Sequence, residues 1–197
     1  SWLPDNRVRG AILEKILVVD SMQEQFLNKQ GITKKSIFNF IENCEVDFKK
    51  SDVKNFVKVY HLSNNGRKIY ALIPDHSFVV ELKSIDSKKA KMFSKTGKGD
   101  LWRTPSNPDF MYLKQDGGLN CKQSEISVSS NKSLYKRLKL TGEFDFANSS
   151  LNEKMQEHYF TIKDKKGRGN IGLNSVWYKE KMDVRSIDLP FESNCTN

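Results

Sequence analysis

The chain has 197 residues, enough for a full core, and its 37% hydrophobic and 29% charged residues match an ordinary globular surface. Lysines and arginines number 33 against 24 acids, a net charge of +9 that favours polyanions as partners, nucleic acid first. No apolar run approaches the ~20 residues of a membrane span and no signal peptide is visible; Cys44, Cys121 and Cys195 lack metal-finger spacing and a disulfide framework and read as buried or idle thiols.

In chain order, Ile12, Ile16, Val19, Met22 and Phe26 recur at steps of three and four and predict a helix over residues 5–30, with Asp5 as N-cap and Gly31 as stop. A shorter helix starts at Thr33 and carries Ile37, Phe38 and Ile41. From Phe56 the period changes to two. Val57, Val59 and His61 form a strand, Asn64-Asn65-Gly66 a tight turn, Ile69–Ile73 the next strand, and Phe78–Ile85 a third beyond the Pro74-Asp75 break. Residues 88–98, rich in lysine, serine and glycine, read as an exposed loop or short helix, and 105–109 as irregular. Phe110–Lys114 and Leu119–Val128 read as a hairpin across Asp116-Gly117-Gly118. Leu134, Leu138 and Leu140 mark a helix; Tyr159–Ile162 and Val176–Tyr178 read as strands around Gly167-Arg168-Gly169. The expectation is one α+β domain over 1–197, with N-terminal helices (1–50) packed on a mixed or antiparallel sheet (51–197).

Residues 73–86 carry the most chemistry. An Asp followed by Glu-x-Lys on a strand is the pattern of a metal-dependent nuclease, here Asp75, Glu81 and Lys83. Two carboxylates hold Mg²⁺ or another divalent cation through oxygen, and the cation acidifies a water beside the scissile phosphate. Glu81 and Lys83 share a face of the strand because its period is two, so the lysine stands beside the reacting phosphate. Asp75 joins them only across a short or bulged connection.

These residues, with Arg7, Arg9, Gly10 and Glu14 upstream and the run Lys83-Ser84-Ile85-Asp86, resemble the restriction-endonuclease-fold toxin domains at the carboxyl ends of bacterial contact-dependent and polymorphic toxins. The resemblance implies a restriction-endonuclease-like core, Glu14, Asp75 and Glu81 as metal ligands, and Lys83 as the catalytic lysine. It further implies cleavage of DNA or RNA in a target cell, delivery as part of a larger bacterial protein, and an acidic immunity protein as inhibitor.

Other placements compete. Asp109 precedes the expected hairpin that ends at Lys122, with Asn120 where the glutamate would stand and Glu125 as an alternative partner. His158, near Tyr159, Thr161 and Lys163, suits a metal-independent RNase with His61 as its partner. Lys165, Lys166 and Arg168 in a glycine-bearing loop, and Lys136 and Arg137 with Lys132 and Lys139 on a basic helix face around Tyr135, are candidates for phosphate contacts. A non-catalytic module that binds nucleic acid or an acidic protein through the same charge is the third reading.

Overall fold

The computed structural model describes residues 3–151 and 153–195. The chain is mixed α and β and has two compact units, 1–105 and 106–197.

The first unit opens with α1 (Pro4–Leu13), β1 (Ile16–Asp20) and α2 (Ser21–Lys29), so the single helix expected over 5–30 is interrupted by a strand. The reason lies in Ile16-Leu17-Val18-Val19, four buried apolar residues in a row, three of them β-branched. Such a run suits a strand buried on both faces and shows no period of its own. Asp20 ends β1 and caps α2, its carboxylate accepting from the amides of Met22 (2.8 Å) and Gln23 (3.4 Å). The expected cap Asp5 instead accepts from the Val46 amide, and Gly31 (φ 74°) follows the end of α2.

Next come α3 (Ile37–Glu42), β2 (Glu45–Asp52), β3 (Val57–Asn64), β4 (Arg67–Pro74), β5 (Val79–Ser84) and β6 (Lys98–Arg103). The period-two stretch forms the expected three-stranded meander, with Asn65 and Gly66 both at positive φ in the β3–β4 turn. The strand order in this unit is β2-β3-β4-β5-β1-β6, with β1 parallel to β5 and antiparallel to β6. The helices share one face. Val8, Ile12, Leu27, Ile37, Phe40 and Ile41 bury against Leu17, Val19, Ile69, Ala71, Val80, Leu82 and Trp102. The alternate residues of the same strands point to the other face, beneath the segment 85–97.

The second unit contains β7 (Met111–Leu113), α4 (Gly117–Glu125), α5 (Asn131–Thr141), β8 (Glu143–Asp145), β9 (His158–Lys163), β10 (Asn170–Tyr178) and β11 (Lys181–Asp188). Its strand order is β8-β9-β10-β11-β7, antiparallel except for β7, which runs parallel to β11. The hairpin expected across Asp116-Gly117-Gly118 is absent. Asp116 accepts from the amides of Gly118 (2.9 Å) and Leu119 (3.3 Å) and so starts α4. Phe144, Phe146 and Phe160 meet edge to face at 5.0 and 5.2 Å in this unit's core. A disulfide joins Cys121 in α4 to Cys195 (Cα–Cα 5.7 Å), correcting the reading of both as buried or idle thiols; Cys44 is free and buried. Among the described residues no helix is long and apolar enough to cross a membrane.

Candidate functional site

On the face of the first sheet away from the helices, strand register lines up polar side chains that lie far apart in sequence. Asp47 on β2 pairs with His61 on β3, His61 with Tyr70 on β4, and Tyr70 with Lys83 on β5. One rung along, Val59, Leu72, Glu81 and Val18 form the adjacent row. Asp20, two residues beyond Val18, lies on the same face at the end of β1.

Glu81 has no solvent exposure and Lys83 is 4% exposed. Their charged ends lie 3.6 Å apart. The loop over them supplies the remaining partners. Ser94 donates from its amide (2.8 Å) and from its hydroxyl (2.5 Å) to the Glu81 carboxylate, while the Lys83 ammonium donates to the carbonyls of Lys89 (3.3 Å) and Met92 (2.5 Å). Burial pushes the Glu81 carboxyl up to about 7; Lys83 and the two Ser94 bonds oppose that rise, and the negative charge of Asp20 adds to it. His61 is buried beside Tyr70 (ring centroids 5.4 Å), and its Nδ1 has no hydrogen-bond partner among the described residues. Burial, with Lys50, Lys68 and Lys91 nearby, holds its imidazole below the usual range against the pull of Asp47. The ammonium of Lys91, on the covering loop, sits 5.5 Å from the centre of the Tyr70 ring.

Of the four residues the resemblance joins, the structure brings together Glu81 and Lys83. Asp75 lies in the β4–β5 turn, its amide bonded to Phe56. It is three residues past Leu72, the register partner of Glu81, which puts it about 10 Å along the strand. Glu14 is the exposed C-cap of α1, and the charge beside it is Lys15. The acid that neighbours Glu81 is Asp20, which the sequence reading passes over. Its signal was a carboxylate ending an apolar run directly before a helix. Ser94 carried no signal, because a loop residue's target depends on how the loop folds back.

The competing placements separate in the same way. Asp109 lies in an exposed turn before β7, while Asn120 and Lys122 lie on α4, where Lys122 donates to the Ile187 carbonyl (3.0 Å). Glu125 accepts from the Ser193 hydroxyl. His158 is fully buried on β9 with its Nδ1 3.2 Å from the Ser175 carbonyl, a structural position, and it belongs to the second unit whereas His61 belongs to the first.

The basic candidates divide as well. Arg137 is not a surface contact. It is buried, and its guanidinium donates to the carbonyls of Ile126 (2.5 Å) and Lys163 (2.7 Å). Arg168 is committed to Asp164 (Nε 2.8 Å) and stacks 3.6 Å from the Phe191 ring centre; its hydrogen bonds hold the Asp164 carboxyl down to about 2. Lys136, Lys165 and Lys166 are exposed. The greater share of the charge lies elsewhere: residues 1–105 hold 19 lysines and arginines against 12 acids, net +7, and residues 106–197 hold 14 against 12, net +2.

The resemblance implies a divalent cation, and the donor geometry around Glu81 does not form a cage for one. Both Glu81 oxygens accept from Ser94, and the Lys83 ammonium stands where a cation would bind. Among the described residues, the three-residue ligand group that converges within 4.8 Å is Cys121, Glu125 and Cys195, whose two sulfurs are bonded to each other. No protein-family model, curated protein or solved structure matches the chain.

Proposed function

We propose that the chain is a nuclease whose reacting groups are Glu81 and Lys83 in the first unit. The observation that carries this reading is a buried glutamate with its carboxyl raised to about 7, ion-paired to a buried lysine, beneath a loop bearing Lys88, Lys89, Lys91 and Lys95. A carboxyl with that affinity for protons exchanges them near neutral pH, as a general base requires. Glu81 takes the proton of an attacking hydroxyl while that oxygen bonds to phosphorus; the leaving oxygen departs with the bonding pair and takes a proton from water. Lys83 neutralises the charge that builds on the phosphoryl oxygens. Substrate reaches the pair when the segment 86–97 lifts and Ser94 gives up its two bonds. On this reading the chain acts as a toxin domain in a target cell, and its inhibitor is an acidic protein that complements the net +7 of the first unit. The Cys121–Cys195 disulfide supports passage through an oxidising compartment.

A second reading rests on the bonds themselves. Ser94, Lys89 and Met92 engage both ends of the ion pair, so the pair also serves as a staple that holds the loop. The unit is then a polyanion-binding module without chemistry.

Digestion of single- and double-stranded DNA and RNA by the purified protein, with and without EDTA, separates the two. The nuclease reading expects cleavage that survives EDTA and falls about 100-fold or more in Glu81→Gln and Lys83→Met. Absence of cleavage in the wild type, or full activity in both variants, rejects it in favour of the staple. Cleavage lost in EDTA and restored by Mg²⁺ returns the metal-dependent mechanism, with Asp20 and Glu81 as its carboxylates.

A further inference from the structure

The second unit exposes two aromatic rings on one sheet face. Tyr112, on the edge strand β7, is 42% exposed, and Tyr178, at the end of β10, is 52% exposed. Register places them together. Tyr112 pairs with Asp183 across β7–β11, and Tyr178 pairs with Lys181 across β10–β11, two residues from Asp183 and on its face. With Lys179 these residues line one open cleft of about 280 Å³.

The surroundings of the rings are cationic. The Lys179 ammonium stands 5.3 Å from the centre of the Tyr178 ring and the Arg185 guanidinium 5.9 Å from it. Arg185 is the extra residue of a bulge between β10 and β11, and its guanidinium also reaches the Asp183 carboxylate (3.0 Å). That ion pair leaves Lys179 and Lys181 facing solvent beside the rings, with Glu180 following Lys179 in the turn. The other Asp183 oxygen, Oδ1, is buried and has no hydrogen-bond partner among the described residues. Lys179 and Glu180 hold φ of 50° and 63°, a left-handed pair that glycine or asparagine adopts more readily, so the turn carries backbone strain where the cleft opens.

Flat rings and flanking cations are what an unpaired nucleotide requires. Its base stacks on an aromatic face and its phosphate meets a lysine. A duplex hides its base faces and offers no such stack. We infer that Tyr112, Tyr178, Lys179, Lys181 and Asp183 form a binding site for single-stranded nucleic acid. The site stands apart from the nuclease reading, because its residues take no part in the chemistry assigned to Glu81 and Lys83. Exposed tyrosines beside an acid also suit sugars, but the two solvent-facing lysines favour the polyanion.

The test is binding of short fluorescein-labelled oligo(dT) and oligo(rU), a labelled duplex of equal length, and cellohexaose, to the full chain in the Glu81→Gln background. That background keeps the probe intact and separates failure of this site from failure of the nuclease reading. Single strands are expected to bind more tightly than the duplex, and Tyr178→Ala or Tyr112→Ala to weaken them about 5- to 100-fold. Tyr178→Phe should retain binding, and Lys181→Ala should lower the slope of log affinity against log salt by about one. Equal affinity for the duplex, undiminished binding in both alanine variants, or binding of cellohexaose in place of the oligonucleotides would overturn the inference. Both rings are exposed, so an unchanged urea midpoint assigns the loss to the site.

Discussion

Glu81 sits on a strand whose six residues are all buried, and its charge is balanced by one ammonium and two bonds from one serine. A carboxyl raised from 4.5 to about 7 holds its proton more tightly in the folded chain than in the unfolded one. Its contribution to stability is therefore full below pH ~4.5, declines as pH rises towards 7 and is gone above it. His61 works the other way. Its lowered value favours the folded chain as pH rises past the usual imidazole range. Comparing variants separates the two: Glu81→Gln should flatten the fall in stability between pH ~4.5 and 7, read as urea midpoints across that window, while leaving the histidine's contribution. An unchanged slope would mean that Glu81 titrates as an ordinary carboxyl. At this scale the Glu-x-Lys pattern was legible, because two residues apart on a strand means one face. The identity of the acid beside it was not. Asp20 and Glu81 are separated by some sixty residues and meet through parallel pairing of β1 and β5, which a single sequence does not reveal.

The segment 86–97 is the element on which access to that pair depends. The sequence reading takes residues 88–98 as an exposed loop or short helix; the lysines are exposed, yet Ala90 is buried and Ser94 reaches the sheet. Its anchors are the two Ser94 bonds and the two carbonyls that take the Lys83 ammonium. Ser94→Ala removes a hydroxyl bond to a charged group, a loss of about 1.5–3 kcal/mol. Amide exchange within 86–97 should then quicken about 10-fold or more, while amides of β5 keep their protection. Exchange unchanged in the loop would show that the carbonyl–ammonium bonds alone hold it. Other elements were read unequally. The alternating strands β3 and β4 and the Asn65-Gly66 turn were plain, because period two and a positive-φ pair are local properties. β1 was merged into a helix, because four apolar residues in a row fit both periods. α4 was taken for half of a hairpin, because Asp-Gly-Gly serves equally as a turn and as a helix N-cap.

Across the whole molecule, charge and covalent constraint fall on different units. The excess of lysine and arginine lies in residues 1–105, and the disulfide lies in 106–197. Cys121 and Cys195 are 74 positions apart, and tying a loop of that length removes chain entropy from the unfolded state worth about 4 kcal/mol at 25 °C. Replacing both cysteines by serine should lower the urea midpoint of unfolding accordingly, and dithiothreitol should lower the wild type but not the variant. A midpoint indifferent to both changes would show that the bridge constrains little of the unfolded chain. The same linkage joins α4 to the segment after β11, which otherwise meets at Glu125 through Ser193.

By itself the sequence determined the mixed α and β composition, the meander, the basic surplus and the shared face of Glu81 and Lys83. Each follows from composition or from spacings of a few residues. The tertiary structure decided the division into two units, the Asp20–Glu81 neighbourhood, the burial of Arg137, the disulfide, and the meeting of Tyr112 with Tyr178. Those depend on which strands pair and in what register, and pairing is settled by packing across the whole chain rather than by any window of it.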